Sequence, residues 1–457
     1  MSETKKSNLY EPKNVAKESP EKIERAFAFC RDYAEFLANS KTERQSVNEC
    51  VKLAEAAGYR EFNFGDSVKA GDKIYYVNRG HSVILADVKD NLADGVNLIA
   101  AHIDSPRIDL KPNPLYEDGG MAFFRTHYYG GLKKYQWPTI PLALIGTVVR
   151  EDGTKVDICV GENENDPVFC IPDLLPHLDR GRDKKTLGEG FSGEMLNTLI
   201  ASYPNGDYEK EPIVEAVLSY LKDNYNVTAE DLVSAELTLV PAGKVRDLGF
   251  DRSMMLGYGH DDKVCSYPPL RAMLDGTYTK TAVLVLSDKE EIGSDGVTGL
   301  DANYLRDFLY ELAENAGVNP RLMLSKSICL SADVSACFDP TYPEAHERKN
   351  AAYLNCGVAL AKYTGHGGKY GTSDAPAEVV AKMRRLFNAK GVAWQSAELG
   401  RVDLGGGGTL AKYVAKLNVE VLDVGVPVLS MHAPFEVVSK LDVYAMYEAS
   451  LAFLANE

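Results

Sequence analysis

Residues 281–294 read Thr-Ala-Val-Leu-Val-Leu-Ser-Asp-Lys-Glu-Glu-Ile-Gly-Ser. The apolar run Thr281–Ser287 shows no polar alternation, which predicts a strand buried on both faces of a parallel sheet. The carboxyl end of such a strand is where an open α/β sheet places its chemistry. Two adjacent acids, Glu290 and Glu291, stand there. Consecutive side chains diverge, so one can bind a metal while the other handles a proton. By itself such a pair reads as a solvated turn, because charged side chains are mostly exposed. Its companions along the chain decide otherwise.

Downstream, further strands are expected at 327–332, 355–360, 391–396 and 418–423. Helices are expected at 264–274, 301–317, 374–389, 409–417 and 439–455. Upstream, two helices fall within 20–57. Ile23, Phe27, Cys30, Tyr33 and Phe36 lie at helical spacing in the first, and Thr42 can cap the second. Strands follow at 73–77, 82–88 and 97–103. This alternation predicts an α/β fold, a mostly parallel sheet with helices on both faces. Residues 107–250 differ, with short β-like runs between Gly, Pro and Asp turns and helical stretches around 193–203 and 211–224. They predict an inserted, largely β domain. Residues 1–106 and 251–457 then form one discontinuous α/β domain around it.

With 457 residues, the chain is long enough for two domains and a large core. Its 50 basic and 66 acidic residues give a net charge of −16, which argues against a nucleic-acid partner. The polar start and the lack of an apolar run of about 18 residues argue against a signal peptide and a membrane span. Eight scattered cysteines include no Cys-x-x-Cys pair, and most lie in apolar surroundings and read as reduced core residues, so the cytoplasm is expected.

Five polar clusters fall at predicted strand ends: His102 with Asp104, Asp261 with Asp262, Glu290 with Glu291, Asp333, and His432. Neutral imidazole plus carboxylate is the ligand set for zinc or a similar first-row ion. Two histidines and three or four carboxylates are too many for one tetrahedral zinc. They suit two ions that share a bridging carboxylate about 3.5–4 Å apart. The run Gly405-Gly-Gly-Gly-Thr409 lacks the lysine of a phosphate-binding loop and suggests close backbone approach to the metals. No Gly-x-Ser-x-Gly motif is present.

The order of these motifs resembles the co-catalytic metallo-aminopeptidases of the M18 family, the aspartyl aminopeptidase and aminopeptidase I group. The resemblance rests on Ala101-His-Ile-Asp-Ser-Pro106, Pro172-Asp-Leu-Leu-Pro-His177-Leu-Asp-Arg180, Asp261-Asp262, Glu290-Glu-Ile-Gly-Ser294, Ser331-Ala-Asp333, Asp403-Leu-Gly-Gly-Gly-Gly-Thr409 and Met431-His432. It implies a co-catalytic zinc exopeptidase core holding two divalent ions per subunit, zinc first, with cobalt or manganese as alternatives. His102 and Asp333 would hold one ion, Glu291 and His432 the other, and Asp261 would bridge. Asp104 would orient His102, and Glu290 would be the general base. His177 would assist the transition state in a neighbouring subunit's site, or be a metal ligand. Lys362 would read an acidic side chain of the substrate.

The implied activity is removal of single residues from peptide N-termini, with acidic Asp or Glu preferred, by a homododecamer whose insertion serves as oligomerisation or lid domain. The alternatives are a neutral-preferring aminopeptidase, a carboxypeptidase or deacylase on the same core, and a non-catalytic assembly or cargo protein. The chain departs from better-known members at Ala336 and Asp339, where histidines are usual, and at Asp262, where asparagine is common. These departures and the insertion's Thr126–Trp137 segment point to a bacterial branch.

Overall fold

The computed structural model describes residues 10–456. The polar N-terminal start lies outside the described residues. A nine-stranded sheet runs in the order Arg60–Glu61, Lys73–Asn78, Ser82–Asp87, Ala282–Ser287, Asn97–His102, Ile328–Ala332, Glu420–Gly425, Val358–Ala361, Trp394–Ser396. The four strands from Ala282–Ser287 to Glu420–Gly425 are mutually parallel. Hairpin Lys73–Asn78/Ser82–Asp87 adds antiparallel pairing on one side, and Val358–Ala361 does so on the other.

Every residue of Asn97–His102, Ala282–Ser287 and Ile328–Ala332 is buried. Successive side chains divide between two cores, as the twofold repeat of a strand requires. Ile99, Ala101, Leu284 and Leu286 pack on one face with Tyr33, Leu270, Met446 and Phe453. Leu98, Ala100, Val283 and Val285 pack on the other with Phe308, Leu312 and Met323. Helices Pro20–Ala38, His260–Asp275 and Lys440–Leu454 cover the first face, and Tyr304–Asn315 and Pro320–Ser325 cover the second. Thr42 caps the helix Glu43–Ala56 by accepting from the Gln45 backbone N–H.

A second sheet of six strands draws only on residues between Arg107 and Pro241, in the order Lys155–Val160, Leu142–Val149, Ala235–Pro241, Arg107–Asp118, Met121–Tyr129, Thr198–Ala201. All of its pairings are antiparallel. The helix expected around 193–203 is instead a single 3₁₀ turn, Gly193–Met195, followed by the edge strand Thr198–Ala201. Pairing with Met121–Tyr129 overrides the local helical pattern there. The strand expected from 391 begins at Trp394, because Gly391 closes the preceding helix in the left-handed region at φ +68.

A third sheet has no counterpart in the sequence reading: Arg246–Leu248, Met254–Gly257, Glu436–Ser439, Pro427–Leu429 and Ser335–Ala336. Arg246–Leu248 lies before the expected boundary at 250 yet joins strands of the α/β part. This sheet sets Gly257 opposite Glu436 and so brings the start of helix His260–Asp275 against the His432 loop.

Candidate metal centre

The central parallel strands deliver their polar residues to one edge. His102 is the last residue of Asn97–His102, Asp333 directly follows Ile328–Ala332, and the 3₁₀ turn Glu290–Ile292 follows Ala282–Ser287. Asp261 sits in the non-helical opening of helix His260–Asp275, with φ −77 and ψ 108. His432 reaches in from the loop after Pro427–Leu429.

Asp261 stands at the centre. Its Oδ1 is 3.4 Å from His102 Nε2, and its Oδ2 is 3.1 Å from His432 Nε2. Asp333 Oδ1 lies 3.7 Å from His102 Nε2, and Glu291 Oε2 lies 3.5 Å from His432 Nε2. Two atoms bound to a tetrahedral ion at about 2.0–2.1 Å stand roughly 3.3 Å apart, so these spacings suit a shared ion at each end. Two ligand groups result, His102/Asp261/Asp262/Asp333 and Asp261/Glu291/His432, with Asp261 common to both. The carboxylate of Asp262 also accepts the His102 backbone N–H at 3.2 Å.

The donor set fits divalent cations on a second ground. Asp261 Oδ1 and Glu291 Oε1 are buried with no hydrogen-bond partner, a costly state that a cation relieves. Burial and the Asp261 charge push the Glu291 carboxyl well above its ordinary range. Burial alone would raise Asp261, but the imidazoles of His102 and His432 hold it low. Burial would lower His432, yet Asp261 and Glu291 raise it to about 11. A buried cluster this rich in carboxylate calls for strong positive charge.

Asp104 braces this cluster from behind. His102 Nδ1 lies 3.1 Å from the Asp104 backbone carbonyl and 3.2 Å from Asp104 Oδ1, so Nε2 is left to face the ligand group. The same carboxylate accepts the backbone N–H of Glu290 and of Glu291, each at 3.1 Å, and the Tyr129 hydroxyl at 2.8 Å. On the other side, His432 Nδ1 is 2.8 Å from the Gly131 carbonyl, which orients that ring likewise. Glu290 belongs to neither ligand group. Its Oε2 is 3.9 Å from His102 Nε2, and burial, then the Asp333 charge, push its carboxyl up to about 8.

Three positioning residues escaped the sequence reading. Glu436 accepts the Asp261 N–H at 3.0 Å and the His432 N–H at 2.7 Å. Lys263 is fully buried and donates to Ser105 Oγ at 2.5 Å, and Ser105 donates to the Asp261 carbonyl at 2.5 Å. A lysine directly after Asp261-Asp262 in an apolar helix was a readable signal. Glu436 gave none, because only the third sheet brings it to the site.

A cavity of about 390 Å³ opens on the centre, lined by His102, Asp261, Glu290, Glu291, Asp333 and His432, and also by Gly406–Thr409. Part of the glycine run therefore walls the same cavity. Two expected residues lie elsewhere. His177 is exposed in the 3₁₀ turn Pro176–Leu178 of the inserted sheet region. Lys362 is half-exposed with its ammonium 3.6 Å from Asp374, while its neighbour Ala361 lines the cavity.

Residues 36–454 match the family model described as aminopeptidase I zinc metalloprotease (M18). A protein of Clostridium acetobutylicum named "Probable M18 family aminopeptidase 1" is 45% identical over 460 residues, covering 98% of this chain and 99% of its own. The crystal structure of the M18 aminopeptidase from Thermotoga maritima superposes with a TM-score of 0.94 at 42% identity, covering 98% of this chain and 100% of that one. A dodecamer of Saccharomyces mApe1 shares the fold with a TM-score of 0.76 at 19% identity, covering 95% of this chain and 97% of that one. The chain belongs to the M18 family of zinc metallo-aminopeptidases.

Proposed function

We propose that this aminopeptidase works through a dinuclear centre bridged by Asp261, with Glu290 as the proton carrier. The observation that carries the reading is the division of the Asp261 carboxylate between His102 and His432. Two divalent ions, zinc first, would polarise the scissile carbonyl and activate a water at neutral pH. Glu290 lines the cavity outside both ligand groups, free to take the water's proton and hand it to the leaving amine. Asp104 fixes the His102 ring and holds the Glu290-Glu291 turn in register with it.

The assembly we propose is a homododecamer, as in the mApe1 relative, in which His177 of one subunit serves the site of another. Its exposure in the inserted region is compatible with that role. We place the enzyme in the cytoplasm, in keeping with eight unpaired cysteines. Lys362 gives an acidic preference little support, since it pairs with Asp374 outside the cavity. That placement favours a second reading, an aminopeptidase preferring neutral residues.

A panel of peptides with free and with blocked N-termini, each tried after chelation and after restoring zinc, cobalt or manganese, tests the proposal. Release of single residues from free N-termini, lost on chelation and regained with metal, is expected. Cleavage of blocked peptides, or from the C-terminus, would overturn it.

A further inference from the structure

We propose that the inserted region sets the ring orientation of both metal-binding histidines through one short segment, Tyr129-Gly130-Gly131. The inference rests on the dinuclear reading of the centre. It gives the inserted region a part in metal binding that is separate from any part in assembly.

His102 and His432 each turn Nε2 toward Asp261, and each ring needs a partner on Nδ1 to stay there. For His432 that partner is the Gly131 carbonyl, which accepts from Nδ1 at 2.8 Å. For His102 it is Asp104, whose Oδ2 in turn accepts the Tyr129 hydroxyl at 2.8 Å. Tyr129 is the last residue of the strand Met121–Tyr129 in the six-stranded sheet. One strand end therefore reaches both histidines, on either side of Asp261.

The segment is itself held firmly. Tyr129 pairs with Arg107 across the strand ladder, and Arg107 Cζ lies 4.1 Å from the Tyr129 ring centroid. Arg107 donates to Glu43 at 2.9 Å and to Asp109 at 2.8 Å, which ties the ring to helix Glu43–Ala56. Gly130 turns the chain at φ +76, where a Cβ would stand 3.4 Å from the Glu291 Cβ and from the Pro106 Cα. A Cβ on Gly131 would stand 3.4 Å from His432 Nδ1. The absence of side chains at these two positions lets the backbone come up to Glu291 and His432. Tyr129 and Gly131 thus act as positioning residues, one through Asp104 and one directly.

The test strips the full-length chain of metal, titrates it with zinc against a chromophoric chelator, and then loads it with cobalt, whose visible absorption reports ligand geometry. Tyr129→Phe removes the hydroxyl and keeps the ring beside Arg107. Gly131→Ala and Gly131→Val crowd the His432 ring in two steps. Tyr128→Phe, an exposed neighbour on the opposite face of the strand, is the control. Melting of each apo variant shows that it is folded.

Tyr129→Phe should weaken zinc binding about tenfold or more and shift the cobalt spectrum. Gly131→Val should do the same, with Gly131→Ala between it and the wild type, while Tyr128→Phe should match the wild type. Wild-type zinc affinity and cobalt spectrum in Tyr129→Phe, or in both Gly131 variants, overturn the inference, even if the apo melting temperature falls. An equal loss in Tyr128→Phe also overturns it. Fewer than two ions per wild-type chain overturns the dinuclear reading and the inference with it.

Discussion

In the proposed centre, Asp104 joins the Glu290-Glu291 turn to the His102 ring through a single carboxylate. It meets His102 Nδ1, the Tyr129 hydroxyl and two backbone N–H groups of the Glu290-Glu291 turn. Loss of its charge should loosen the ring and the turn together. Asp104→Asn is expected to weaken zinc affinity about 10–100-fold, the usual effect of removing such an outer carboxylate, with a parallel fall in kcat. Zinc titration into the apo chain checks this, and unchanged affinity would contradict the role. The His102–Asp104 partnership was legible as a short motif. The hold of Asp104 on the turn was not, because it depends on two strands from distant parts of the chain lying side by side. Adjacency likewise made Glu290 and Glu291 a candidate pair; the resemblance implied which does which, and the turn sets Glu291 facing His432 with Glu290 outside both ligand groups.

Elements built from long buried apolar runs were readable, and the sheet at the heart of the fold follows from them. Short elements were not: the third sheet consists of strands of two to four residues, below the length at which periodicity carries information. Its pairing of Gly257 with Glu436 nevertheless sets the backbone of Asp261 and His432.

The seam between the α/β part and the inserted sheet is also a tertiary product. Buried Lys41 bonds Glu162 at 2.7 Å and the carbonyls of Pro241 and Gly243 at 2.8 and 2.9 Å. His81 lies 3.4–3.5 Å from Glu43 and Asp288 on one nitrogen and from Glu236 on the other, joining three elements. Burial would lower this histidine, but Asp288, Glu236 and Glu43 raise it to about 10 from 6.5. A raised pKa stabilises the fold fully below pH 6.5 and loses that effect as pH climbs toward about 10. Thermal stability of the wild type should therefore decline across that window, and His81→Gln should show a shallower decline. An equal slope in both would contradict the ion-pair account.

At the scale of the whole molecule, exposed Leu174, Leu175 and Leu178 flank His177 in the chain, and exposed Leu187 follows ten residues on. Exposed apolar side chains are what the proposed subunit interface would cover. Light scattering should give the mass of an assembly rather than of one chain, and Leu178→Asp should break it and lower kcat together. A dissociated variant with full activity would contradict a role for His177 across subunits. The proposed assembly is legible only through family resemblance, since neither charge nor composition encodes it.

A bridged metal pair served by a separate proton carrier is put to the test by the kcat of the zinc-loaded Glu290→Gln variant, with its metal content measured in the same preparation. Two ions per chain, as in the wild type, and a kcat reduced by about 10²–10⁴-fold, the usual worth of a general base, are expected. Turnover near the wild-type rate with both metals bound would contradict it.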